Sequence, residues 1–287
     1  MSHQIYFTNS NDDTILLSEA PYELISADGL SYLEVDTQTQ KAPFQDGLTY
    51  LDSLLSARVI DIELNIRANT YEDLFVKKHE IQKIFNPKLG LGVLRYVYPG
   101  GEREIEAVAT YVPKMFNGAN QMNPNYQKVF ITLLCPNPAF RDTTKTTINV
   151  SSFTGGFDFL MEFSIDFGLV GQQATVTNEG ELPTPILATF QGPVTNPVLQ
   201  NLTTGEQIKI TLNIPSGYRL EINTAFGEKS VILYNPSNVG TNAFYTVDPS
   251  STFFMLQPGE NILSYASTTS AGNDVLTVEY YNRYLGV

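Results

Sequence analysis

Glu102, Glu104 and Glu106 recur at every second residue. On a strand that spacing puts three carboxyls on one face, about 7 Å apart. Two carboxyls at such a separation can hydrolyse a glycoside, provided that one is held protonated in an apolar pocket. No pocket-forming stretch flanks them, and a solvated acidic face fits equally short spacing. Asp61 and Glu63 form a second pair of the same kind. A further acidic stretch places Asp158, Glu162 and Asp166 among Phe157, Phe159, Phe163 and Phe167. Such a stretch can bind a sugar or a cation, with Tyr218 as another candidate ring. The alternative is a strand or core with polar rims, and the absence of tryptophan weighs against sugar stacking.

Other chemistries lack the residues they need. The single cysteine, Cys135, excludes an internal disulfide framework and suits an intracellular environment. Leu133-Leu134-Cys135-Pro136 reads as a strand end in which the thiol is a small buried hydrophobe. His3 and His79 are the only histidines. A zinc site would therefore have to draw on carboxylates, and no metal or cofactor is expected. A Ser–His–Asp or Cys–His system would have to use His79, which lies in a helical stretch and reads as solvated. Leu89-Gly90-Leu91-Gly92 follows a helix, whereas a phosphate cradle opens one. Asn201-Leu202-Thr203 fits a glycosylation acceptor, but Met1–Ile5 has neither a basic start nor an apolar run, so no secretory signal is expected. No enzyme signature emerges.

The elements that must hold these residues are mostly strands. Ile60, Ile62, Leu64 and Ile66 alternate with Asp61, Glu63 and Asn65, which predicts a strand with one buried face. Ile105, Ala107 and Ala109 alternate with the three glutamates in the same way. Val93–Tyr98 and the glutamate strand flank Pro99-Gly100 and should pair as a hairpin. Val129–Leu134 is apolar on both faces and reads as a central strand. One helix is expected. Thr70 is its N-cap, Glu72 and Asp73 lie in its first turn, and Leu74, Phe75, Ile81, Ile84 and Phe85 form an apolar stripe that ends at Asn86-Pro87.

From Thr143 onward Thr, Asn, Ser and Gly replace charged residues, and a domain boundary is expected there: 1–143 and 144–287. The second part reads as all-β. Ile208, Ile210, Leu212 and Ile214 alternate with polar residues, as do Tyr218, Leu220 and Ile222. Turn signals at Thr204-Gly205, Pro215–Gly217, Asn235–Ser237, Pro258-Gly259 and Ala271–Asn273 punctuate short strands, the pattern of a sandwich. No apolar run is long enough to cross a bilayer.

The 287 residues carry a net charge of −13, and residues 1–52 hold nine acidic groups against one basic, Lys41. That sign disfavours binding to nucleic acid. It would let a polyanion pass without sticking, or it provides ordinary solubility.

Taken in order, several segments resemble the distal tail proteins of long-tailed bacteriophages with non-contractile tails. They are Asp46-Gly47, the Arg58–Ile66 strand, the Thr70–Phe85 helix with Asn86-Pro87, Ile131–Phe140, Asn196-Pro197, Asn201–Glu206, Gly217–Thr224 and Leu256–Ile262. The resemblance covers nearly the whole chain. It implies a mainly β protein with an N-terminal β-sandwich or barrel-like ring domain carrying one helix, followed by a galectin-like β-sandwich outside the ring. It implies a structural, non-enzymatic virion protein, made in the host bacterial cytoplasm and placed at the tail tip. Six copies would form a ring between the tail-tube and tape-measure proteins above and a tail-tip, fibre or receptor-binding protein below. Phage DNA would pass without specific binding. Glu102, Glu104 and Glu106 are candidate channel lining, with Asp61 and Glu63 as competitors. The alternative functions are a module that binds host cell-wall glycan and a glycoside hydrolase.

Overall fold

Period-two alternation organises the first half of the chain. The computed structural model describes residues 3–116, 118, 122–151, 172–270 and 275–287. The chain divides into two compact units, residues 1–143 with Tyr284–Val287, and Thr144–Arg283. The second unit is thus inserted into the first, which reclaims the last four residues.

Unit 1 contains β1 (Gln4–Thr8), β2 (Thr14–Leu16), β3 (Tyr22–Asp28), β4 (Val35–Gln40), β5 (Thr49–Leu55), β6 (Arg58–Arg67), α1 (Tyr71–Ile84), β7 (Gly92–Tyr98), β8 (Gly101–Ala109), β9 (Lys114–Met115), β10 (Met122–Asn123), β11 (Tyr126–Cys135) and β12 (Phe140–Asp142). An antiparallel sheet runs β2-β1-β7-β8-β11-β6-β3. β8 pairs with β7 along its whole first part and with β11 only at Val108 and Ala109. It therefore carries the chain from one half of the sheet to the other. Ile60, Ile62, Leu64 and Ile66 of β6 and Val129, Ile131 and Leu133 of β11 fill the core. β11 lies centrally as its apolar content predicts. Its second face is not sealed, since Phe130 and Leu134 are only half-buried.

α1 covers one side of the core with Leu74, Ile81 and Ile84, and Phe85 at its end stacks on Phe7, 4.5 Å between centroids. The Thr70 hydroxyl accepts from the Asp73 amide at 3.1 Å, the expected N-cap. Phe75 departs from the expected stripe. It is 44% exposed and packs edge-on against Tyr71. It is adjacent to Leu74 in sequence, and one helical step of about 100° turns it away from the core.

Two larger antiparallel sheets form a sandwich in unit 2, and a third, smaller sheet pairs 213–214, 194–195 and 269–270. One of the larger sheets runs in the order 146–151, 275–280, 187–191, 219–223, 230–234, 240–242, and the other 172–178, 259–266, 198–201, 207–209. Ala188, Phe190, Leu220, Ile222, Leu276 and Val278 meet Val176, Leu199, Ile208, Leu263 and Tyr265 in one core. The expected single strand over Ile208–Ile214 is broken. Gln207–Lys209 pairs with Val198–Gln200, Ile210 makes an isolated bridge to Val247, and Asn213-Ile214 pairs with Val194-Thr195. Each isoleucine is buried, but the chain changes partners between them.

Candidate functional site

The glutamate strand is an ion-paired rail. Glu104 lies opposite Arg95 of β7 and Arg141 of β12 in the two flanking registers. Arg141 Nε donates to Glu104 at 3.0 Å and its Nη1 lies 3.1 Å from Glu106. Arg95 stands 3.9 Å from both Glu102 and Glu104, and the Thr143 hydroxyl donates to Glu102 at 2.7 Å. Two guanidiniums thus offset two of three carboxylates. A glycosidase acid needs an apolar pocket, whereas Glu104 is buried between arginines. Sequence spacing identified the carboxylates but not Arg95 and Arg141, which cross-strand pairing brings in. Arg103, on the opposite face, stacks between Tyr98 and Tyr284.

Asp61 and Glu63 sit elsewhere, on the outer face of β3, β6 and β11. Asp61 lies directly opposite Asp28 on β3, and Glu63 opposite Ser26. The Thr132 hydroxyl donates to Asp61, and Lys128 pairs with Glu63. The glutamate's hydrogen bond pushes the Lys128 ammonium pKa upward. Asp28, Asp61, Glu63, Tyr111, Lys114, Phe116 and Phe130 are among the residues lining an open groove of about 410 Å³. Like charges directly opposite across two strands destabilise a sheet, yet Asp28 and Asp61 are both exposed here.

Among the described residues β4 and β5 pair only with each other and form an isolated two-stranded arm. Every residue of both strands is exposed. Leu51, Leu54, Leu55 and Tyr50 are among its exposed apolar groups, and Phe44 at the tip is fully exposed. The arm was not read from the sequence. Thr37-Gln38-Thr39-Gln40 and Leu51–Leu55 lack clean alternation, and Asp46-Gly47 was its one turn signal.

The remaining candidates are structural. Cys135 is fully buried, and burial raises its thiol pKa to about 12. His79 is a solvent-facing helix residue, and His3 bonds to the Tyr96 hydroxyl at 2.8 Å. Asn201 is fully buried and its amide donates to Asn261 at 3.1 Å, so it cannot present a glycosylation acceptor. Tyr218 packs against the unit 2 core. Phe157, Asp158, Glu162 and Asp166 lie outside the described residues. Among the described residues no cluster of three His, Cys, Asp or Glu side chains could hold a metal, and no helix is long and apolar enough to cross a membrane.

A family model described as a siphovirus-type tail component, C-terminal domain, matches residues 179–284, and one described as a phage tail protein RIFT-related domain matches 12–135. No curated protein matches the chain. The crystal structure of the phage SPP1 Dit protein, described as a paradigm of hub adsorption apparatus in phages infecting Gram-positive hosts, is similar in fold. It has 13% identity and a TM-score of 0.71, over 98% of this chain and 99% of that one. A chain of the phage P2 baseplate in its activated conformation with Ca is similar at 10% identity and a TM-score of 0.58, over the full length of both.

Proposed function

From the premise that this chain belongs to the siphovirus distal tail protein family, a structural component of phage tails, we propose that six copies close a ring at the distal end of the tail. The ring joins the tail tube and tape-measure protein to the tail-tip or receptor-binding protein, and DNA passes through it. Unit 1 forms the ring and unit 2 lies outside it. The protein does no covalent chemistry.

The arm carries this reading. A lone two-stranded hairpin is marginal in water, and so large an exposed apolar surface marks an interaction site. A ring closes through heterologous contacts, in which one patch of each copy meets a different patch of the next. An arm projecting from one copy onto its neighbour is such a patch. The acidic face of β3–β6–β11, with Asp28 and Asp61 exposed opposite each other and Glu63 paired with Lys128, is the proposed channel wall. A wall that passes a polyanion gives these opposed carboxylates a use despite their repulsion. Glu102, Glu104 and Glu106 are largely neutralised by their arginines and are the weaker candidates.

Sedimentation velocity combined with electron microscopy of the purified protein tests the ring. Particles of about six copies with a central hole are expected. A protein that stays monomeric at high micromolar concentration, or that labels away from the tail end of intact virions, ends the proposal.

A further inference from the structure

The arm springs from the chain between Gly29 and Arg58, and a single buried side chain organises that root. Arg58 is 1% exposed, yet among the described residues no carboxylate pairs with it. Instead its Nε donates to Pro138 O at 2.8 Å. Its Nη1 reaches the carbonyls of Gly29 at 2.6 Å, Leu30 at 3.2 Å and Tyr32 at 2.9 Å. Its Nη2 donates to Leu285 O. The guanidinium also lies 4.9 Å from the Phe140 ring centroid. A guanidinium presents its N–H donors in a rigid fork, and here its three nitrogens reach five carbonyls from three separate stretches of chain, three of them shared by Nη1. Gly29 must be glycine. Its φ is +90°, and a Cβ there would lie 2.0 Å from Val59 O.

One of those stretches is the returning segment Tyr284–Val287. Three further interactions tie it down. Tyr284 stacks on the Arg103 guanidinium at 3.6 Å, Arg103 donates to Gly286 O, and the Ser31 hydroxyl donates to Val287 O at 3.1 Å. Ser31 lies between two residues whose carbonyls Arg58 holds. Arm root and returning segment are therefore fastened to each other and to one shared cation.

We propose that Arg58 and Tyr284–Val287 form a lock on the arm root, and that Arg58 acts as a positioning residue that aims the arm for contact with a neighbouring copy. The second half of this statement rests on the ring reading above. A hairpin with no packing of its own takes its direction only from its root. Loosening either side of the lock leaves a buried guanidinium with unmet donors and frees the root.

The test uses the full chain in two variants, Arg58→Met and the double variant Ser31→Ala with Tyr284→Ala. The double variant leaves Arg58 and the buried residues of β6 and β11 unchanged should the first fail to fold. Hydrogen exchange follows the Ser56 amide, which bonds Glu34 O across the root at 3.0 Å, against the amides of β6 and β11. Both variants should exchange at Ser56 at least ten-fold faster with β6 and β11 unchanged. The concentration for half-assembly should rise at least ten-fold. Unchanged Ser56 exchange in the double variant overturns the lock, and unchanged assembly despite faster exchange overturns its positioning role. A wild-type chain that never assembles fails the ring reading and with it the positioning role, while the exchange data still decide the lock.

Discussion

At the scale of the residue, buried amides tie turns of unit 2 together. Asn261 is fully buried. It accepts from Gln257 N at 3.0 Å and Asn201 Nδ2 at 3.1 Å, and donates to the carbonyls of Gln257 at 2.7 Å and Gly259 at 3.1 Å. Asn201 in turn accepts from Thr203 N at 3.0 Å. These are the segments Asn201–Glu206 and Leu256–Ile262, so their distinctive sequences reflect two turns knitted through one amide pair. Removing a partner from such a network leaves buried polar groups unmet. Asn261→Ala should destabilise unit 2 by about 2–3 kcal/mol in denaturant titration. Cys135 should resist thiol reagents at pH 8 in the native protein and react at once in denaturant. Its raised pKa and full burial leave almost no accessible thiolate. Asp61→Asn should raise the melting temperature of unit 1, because relief of one cross-strand like-charge pair is worth about 0.2–1 kcal/mol.

At the scale of the element, α1 and the arm are opposites. α1 is held by its cap, its buried stripe and an Asp73–Lys77 pair one turn apart. Lys77 and the Asn69 amide hold the Asp73 carboxyl below its ordinary value. A depressed carboxylate stabilises the fold fully above its unfolded pKa, and the contribution is lost as pH falls through the folded value. Asp73→Asn should therefore shrink the difference in unit 1 stability between pH 6 and pH 3, read by thermal unfolding. The helix was legible because Thr70, the acidic first turn and Pro87 are local signals. The arm was not, because nothing local distinguishes a strand that pairs inside the core from one that projects. That distinction depends on what covers each face.

At the scale of the whole molecule, two separate cores predict two unfolding events. Calorimetry should resolve two transitions, and Asn261→Ala should move only one. The proposed channel wall has its own consequence. Replacing Asp61 and Glu63 together by lysine should give assembled particles that retain duplex DNA at low salt and release it as salt rises, since phosphate contacts follow counterion release. Wild-type particles should not retain it.

Residue order alone determined the mainly β character, the alternating faces of β6 and the capped helix, because periodicity and capping are properties of near neighbours. Tertiary structure decided which charges remain free. Glu104 is met by Arg95 across the β7–β8 hairpin and by Arg141 from β12, 37 residues away, whereas Asp61 stands opposite Asp28 on β3. It also decided that the chain's last four residues return to unit 1 and that one buried arginine there gathers carbonyls from three stretches. Such convergence is a property of packing, and no spacing along the chain encodes it.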